Sequence, residues 1–245
     1  MDTYILVAAG AVAAGFVQGL SGFAFGLVAM SFWVWVLAPE VAGPLVVGCS
    51  LLGQAMSIGG VWRRFEAGRA LPFIVGGVVG VPLGAWLLPH VPPAVFKVAL
   101  GGLMVVWCPV MLCAGDLPKL AFGGRGADAV AGWIGGVMGG LGGFSGPVPT
   151  VWCVLRGWDK DSQRAMFQPF HLTMHTLTLG AYVAGGLVTP GVVGMFGFAA
   201  VLMVVPAMAG ARLYRRFSDA GFRRLILLLL LGSGVALLVN ALPRL

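Results

Sequence analysis

The sequence predicts an all-α polytopic membrane protein made of two inverted-topology repeats, each a glycine-rich broken helical hairpin followed by three transmembrane helices. Three observations carry this. Apolar residues make up 59% of the 245-residue chain and charged residues only 9%, against roughly 45–50% and about 25% in a soluble domain. The apolar residues gather in runs long enough to cross a bilayer as helices, which satisfy their own backbone hydrogen bonds. The basic residues sit between those runs, in a pattern that reverses between the two halves. So few charges cannot cover a water-soluble surface, and the mean hydropathy is +0.98. A soluble globular protein, a disordered chain and a nucleic-acid binder are excluded, and the 40 glycines show no collagen period.

The first repeat is predicted over residues 1–114. Its hairpin, 4–36, is about 30 apolar residues long with Gly15, Gly19, Gly22 and Gly26 in the middle, which is long for one helix and short for two full spans. Spans follow at 44–61, 71–88 and 94–114. A cytoplasmic linker, 115–127, leads to the second repeat over 128–245. There the hairpin is 128–155, broken at Gly139, Gly140, Gly142, Gly143 and Gly146, and the spans are 165–182, 191–213 and 224–242. Met1-Asp2-Thr3 gives no basic n-region, so the apolar start reads as retained structure rather than a cleaved signal peptide. Cys49, Cys108, Cys113 and Cys153 lie in or beside apolar runs without a CxxC pair and read as packing residues. Trp33, Trp35, Trp133, Trp152 and Trp158 read as interfacial belt residues.

Loop charge orients the chain. Arg63, Arg64 and Arg69 share one loop, Lys119 and Arg125 another, and Arg156, Lys160 and Arg164 a third. Arg212, Arg215, Arg216, Arg223 and Arg224 flank a fourth, leaving only Lys97 and Arg244 elsewhere. By the positive-inside rule these four loops are cytoplasmic. Each hairpin then leaves and re-enters on one side, and both termini are periplasmic in a bacterial inner membrane.

A shift of 121 residues aligns Gly15 with Gly136, Gly19 with Gly140, Gly22 with Gly143 and Phe23 with Phe144. A shift of 126 aligns Gly84-Ala85 with Gly210-Ala211. Equivalent loops carry opposite charge character: 37–43 has no basic residue and 156–164 has three, while 62–70 has three and its counterpart near 183–191 has none. Two like halves facing opposite ways are the architecture of many secondary transporters.

All eight carboxylates fall in loops or at predicted span ends, and no GxxxxGK[ST] is present. That argues against an intramembrane aspartyl protease, an Asp/Glu proton pump and an ATPase. Neither an enzyme nor a bound cofactor or resident metal is expected. Two titratable residues do fall mid-span. His171 and His175 are four apart and share a helix face with Gln168; their first-half counterparts are Ser50 and Gln54. These groups suit substrate contact, with the histidines coupling protons, or interhelical hydrogen bonding. The segment Gly143-Phe144-Ser145-Gly146-Pro147 reads as a helix break followed by a new helix starting near Pro147. Gln18, Ser21, Gly22, Phe23 and Gly26 form the matching break. A half-helix N-terminus can hold an anion without a Lys or Arg; close small-residue packing is the alternative.

Those glycine segments, Gly15-Phe16-Val17-Gln18-Gly19-Leu20-Ser21-Gly22-Phe23 and Gly136 through Pro147, together with the length and repeat layout, resemble the TauE/SafE family of sulfite-exporter-like permeases. The resemblance covers essentially the whole chain. The family's usual glycine run after the first break is replaced by Phe23-Ala24-Phe25-Gly26, which narrows that half of the site. It implies a bacterial inner-membrane exporter of a small sulfur-containing anion such as sulfite, sulfoacetate or another organosulfonate. The partners expected are that anion and the lipid bilayer, with no nucleic acid, and a homodimer is compatible with the sequence. The competing readings are a transition-metal carrier using His171, His175, Met174 and Cys153, and a membrane assembly protein without transport.

Overall fold

The computed structural model describes residues 2–21, 24–57, 67–115, 117–120, 123–213 and 219–244. Among them are ten α-helices and no strand. In each half a long helix is followed by a nine-residue helix and then three long ones. The first half has α1 (Asp2–Ser21), α2 (Phe25–Trp33), α3 (Pro39–Ser57), α4 (Ala67–Leu87) and α5 (Pro93–Leu112). The second has α6 (Gly124–Gly142), α7 (Pro147–Leu155), α8 (Lys160–Ala184), α9 (Pro190–Leu213) and α10 (Asp219–Ala241).

The hairpins therefore have unequal arms. A helix of 20 residues is about 30 Å long, the thickness of a hydrocarbon core, whereas nine residues cover only about 13.5 Å. The roughly 30 residues of each glycine-rich region are one long arm and one half-length arm. Sequence boundaries and glycine spacing do not distinguish this from two equal short arms.

Five helical segments are long and apolar enough to span a membrane: Asp2–Ser21, Gly68–His90, Pro93–Leu112, Pro190–Leu213 and Arg224–Ala241. α3 and α8 fall short of that hydropathy, and they carry the buried polar residues: Ser50 and Gln54 on α3, Gln168, His171, His175 and Thr178 on α8. A helix with such a stripe cannot present it to lipid. α3 packs against α8, with α4, α6 and α9 against one or both. The start of α8 is capped. Asp159 precedes α8 and accepts from the N–H and hydroxyl of Ser162, at 3.0 and 2.7 Å.

Glycines set the tightest packing. α1 lies along α9 and α6 along α4. A β-carbon on Gly84 would overlap the Val137 carbonyl, and one on Gly210 would overlap that of Phe16. Val137 and Phe16 are themselves 121 apart. Likewise Gly19 faces Ala207 and Ala211, Gly140 faces Val81 and Ala85, Gly15 faces Met203 and Gly136 faces Gly77. Each contact in one half exchanges into its counterpart in the other under the shifts that align the sequence. α5 and α10, the last helices of the two halves, pack with Gly101 beside Gly234 and Leu237, and Gly234 beside Gly101 and Met104. The register rises on one helix as it falls on the other, so this equivalent pair runs antiparallel.

One expectation changes. Trp33 is no belt residue: it is fully buried and its indole N–H donates to the Val7 carbonyl at 3.1 Å. Asp128, at the span end as expected, lies in the second turn of α6, but it is buried and accepts from the Trp152 indole at 2.7 Å. Hydropathy misses both because each polar group is satisfied by a partner on the other arm of its own hairpin. Trp35 and Trp133 are exposed, as a belt requires.

Candidate functional site

The second break is built as the glycines suggest. α6 ends at Gly142, and Gly143 turns the chain at φ 77°, a left-handed conformation that glycine adopts without strain. Phe144, Ser145 and Gly146 lie outside any helix and donate no backbone hydrogen bond among the described residues. α7 then begins with Pro147. Pro147 and Pro149 lack N–H groups, so of the first three residues of α7 only Val148 supplies an amide. The donors near this tip are those of the break itself.

α8 runs beside this break and is tied to it at three points. Ser145 Oγ and His171 Nδ1 are 2.7 Å apart, His175 Nε2 donates to the Gly143 carbonyl at 3.1 Å, and the Tyr182 hydroxyl donates to the Gly140 carbonyl at 2.6 Å. The two imidazoles stack, with centroids 5.8 Å apart and planes 17° apart. Gln168, His171, His175, Thr178 and Tyr182 recur at helical spacing, so one stripe of α8 faces inward. Tyr182 and Thr178 were not singled out from the sequence. The i, i+3, i+4 continuation of the histidine pair is the signal that finds them.

The tautomer of His175 follows from its partner. A carbonyl can only accept, so Nε2 carries the proton, and in the neutral ring Nδ1 presents a lone pair. That atom is buried and has no hydrogen-bond partner among the described residues. The same holds for Ser50 Oγ, both polar atoms of the Gln54 side chain, Gln168 Nε2 and Thr178 Oγ1. Buried polar atoms are nearly always satisfied, and each one left unpaired costs about 1–3 kcal/mol. These atoms gather on two packed helices, α3 and α8.

The first break differs. Gln18 Oε1 accepts from the Phe25 N–H at 3.2 Å and Ser21 Oγ from the Ala24 N–H at 3.2 Å. Both side chains cap the start of α2. Gly22 and Phe23 lie outside the described residues. The two tips meet: Gly26, in the first turn of α2, packs directly on the Gly143 carbonyl that His175 also bonds. Val46 and Val47 of α3 lie against Gly143, one turn before Ser50. Gly53 lies against the Gln18 side chain, which places Gln54 beside the first tip.

Gln18, Ser50, Gln54, Ser145, Gln168, His171 and His175 are each 6% exposed or less, so the polar cluster is closed to both sides. Phe144, whose ring meets Phe96 edge-on with centroids 6.2 Å apart, helps cover it. Among the described residues no three His, Cys, Asp or Glu gather as a metal site requires. Of the further residues in a metal reading, Met174 packs on Gly77 and Phe170, and Cys153 lies on α7.

A closed polar cluster at a helix break, inside a bundle of apolar spans, is the arrangement of a solute carrier, and the family comparison agrees. The family model described as sulfite exporter TauE/SafE matches residues 6–237, nearly the whole chain. The chain belongs to the TauE/SafE family. It is a membrane protein of a transporter family, and its helical breaks, spans and buried polar stripe are those of this TauE/SafE chain. No curated protein and no solved structure matches it.

Proposed function

We propose that this TauE/SafE chain is a secondary transporter that exports a small sulfur-containing anion, such as sulfite, sulfoacetate or another organosulfonate, across a bacterial inner membrane with proton coupling. The observation that carries the proposal is the Gly143–Gly146 break faced by His171 and His175. The amides of Phe144, Ser145 and Gly146 supply donors for oxyanion oxygens, and the nearby N-terminal end of α7 favours negative charge. Gln168 Nε2 and Gln54 add side-chain donors. α7 is half as long as the core is thick, which supports a site near mid-depth.

Proton coupling follows from the tautomer. Neutral His175 keeps its Nε2–H on Gly143 and shows the site a lone pair, which repels an anion. When Nδ1 takes a proton the ring becomes a cationic donor. Anion and proton then bind together, and either one strengthens the other. His171, stacked on His175 and bonded to Ser145, belongs to the same unit.

The exchanged glycine contacts and the antiparallel packing of α5 on α10 support inverted repeats. The orientation with both termini periplasmic is supported by the joining of two predicted cytoplasmic loops: Arg69 donates to Ser162 Oγ at 3.1 Å and lies over the Trp158 ring. In proteoliposomes loaded with sulfite or ethanesulfonate, efflux should exceed that from protein-free vesicles and respond to an imposed pH gradient. Efflux no faster than from empty vesicles for every sulfur anion tried would remove the proposal.

A further inference from the structure

A cavity lies away from the polar cluster. A groove of about 510 Å³ lies between α5, α6 and α7, lined by apolar residues that include Val106, Trp107, Val130, Ile134 and Val151. That volume is within the roughly 300–1,000 Å³ of ligand pockets, yet no charged side chain lines it. Val106 and Val130 are 68% and 58% exposed, so the groove opens sideways, toward lipid rather than toward either aqueous face. Its inner end is at Ile134 and Pro147, where the Trp107 indole donates to the Pro147 carbonyl at 2.9 Å. Its outer end is at Ala127 and Leu155, the base of the hairpin.

That base is basic. Arg156 follows Leu155 and lies over the Trp152 ring, with its guanidinium carbon 6.0 Å from the centroid. The linker is held beneath α7 by a hydrogen bond from the Leu120 N–H to the Leu155 carbonyl at 2.7 Å, and the Lys119 side chain lies against Gly157. Arg125, exposed, is two residues before Ala127. Asp128 also lies at this corner, where it is buried and accepts from Trp152. Lys119 and Arg125 are exposed.

On the equivalent flank of the first half, α2 packs against α10, and Leu227 and Leu230 are buried in the main core. The open apolar slot with a cationic rim belongs to the second hairpin.

We infer that this groove binds one anionic phospholipid, with an acyl chain between α5, α6 and α7 and its phosphate at Lys119, Arg125 and Arg156. An apolar slot opening into the bilayer selects a hydrocarbon chain. Basic residues at the membrane surface select an anionic headgroup over a zwitterionic one. The lipid would hold α7, the half-helix that carries the break, against α5, so its occupancy bears on how freely that tip moves. The inference depends on the membrane setting of the helices and not on the nature of the transported solute.

The test is native mass spectrometry of the purified full chain, titrated with phosphatidylglycerol or phosphatidylcholine of identical acyl chains. One phosphatidylglycerol should be retained in preference to phosphatidylcholine. The double variant K119Q/R125Q should lose roughly 30-fold in phosphatidylglycerol affinity, with phosphatidylcholine unchanged. Val130→Trp, which fills the groove from its exposed wall, should weaken both lipids. Equal retention of the two lipids by the unmodified chain, unaltered binding in K119Q/R125Q, or a crosslink from Val106→Cys to a second copy seated in the groove would each overturn the inference.

Discussion

The two hairpins share a backbone plan and use it differently. In the first, Gln18 and Ser21 bend back to cap the start of α2, and Trp33 fastens that helix to a carbonyl of α1. Their counterparts at the second break are Gly139 and Gly142, which have no side chain to give. There α8 approaches from outside the hairpin, and its histidines bond the Ser145 hydroxyl and the Gly143 carbonyl rather than the amides of the break. The second pin is also different in kind: Trp152 holds a carboxylate, Asp128, where Trp33 holds a carbonyl. The Ala24 and Phe25 amides are satisfied within the first hairpin, whereas those of Phe144, Ser145 and Gly146 have no partner among the described residues. Under the proposed function, equivalent positions divide between support in the first hairpin and binding in the second.

The largest effect should come from removing the group that joins the second break to α8. Under the proposed coupling, His175→Ala takes away a donor that becomes charged on anion binding, a bond of about 1.5–3 kcal/mol. Initial efflux rates should fall about 10- to 100-fold while the purified protein elutes as the unmodified chain does. Retention of full rates would mean that the second break does not hold the solute.

A paired substitution sharpens the contrast. Ser145→Ala should lower efflux about fivefold or more, by freeing His171 from its partner. Gln18→Ala should act on stability instead: loss of a helix cap costs about 1 kcal/mol, visible as a melting temperature lower by about 2–4 °C, with efflux within about twofold. Equal transport losses in both variants would erase the distinction between the hairpins.

The pins give a smaller difference. Trp152→Phe strands the buried Asp128 carboxylate and should destabilise by about 1–3 kcal/mol, whereas Trp33→Phe strands only a carbonyl and should cost nearer 1 kcal/mol. Thermal unfolding followed by circular dichroism separates them. In the double variant Asp128→Leu with Trp152→Phe, which removes both partners, much of the loss should return.

Much of this was legible in the sequence because a bilayer imposes coarse rules. Helix type and the approximate place of the spans follow from hydropathy, and the second break follows from Gly143 and Pro147. The histidine pair stood out because no Asp, Glu, Lys or Arg lies at the middle of a predicted span. What stayed hidden depends on partners distant in the chain. The bond from the Phe25 amide to Gln18 cannot be read from the sequence, and Trp33 looks interfacial until Val7 is placed beside it. The burial of Asp128 at its span end is hidden because its partner is 24 positions away. The lateral groove could not be read at all, since its walls come from three helices whose apolar residues resemble any others.

The central claim is that an anion and a proton enter the second break together through His175. Calorimetric titration of ethanesulfonate, whose own charge is constant near neutral pH, in two buffers of different ionisation enthalpy tests it most directly. Uptake of about one proton per anion by the unmodified protein, abolished together with most of the affinity in His175→Ala, is the result expected. Binding without proton uptake, or equal affinity in His175→Ala, would contradict it.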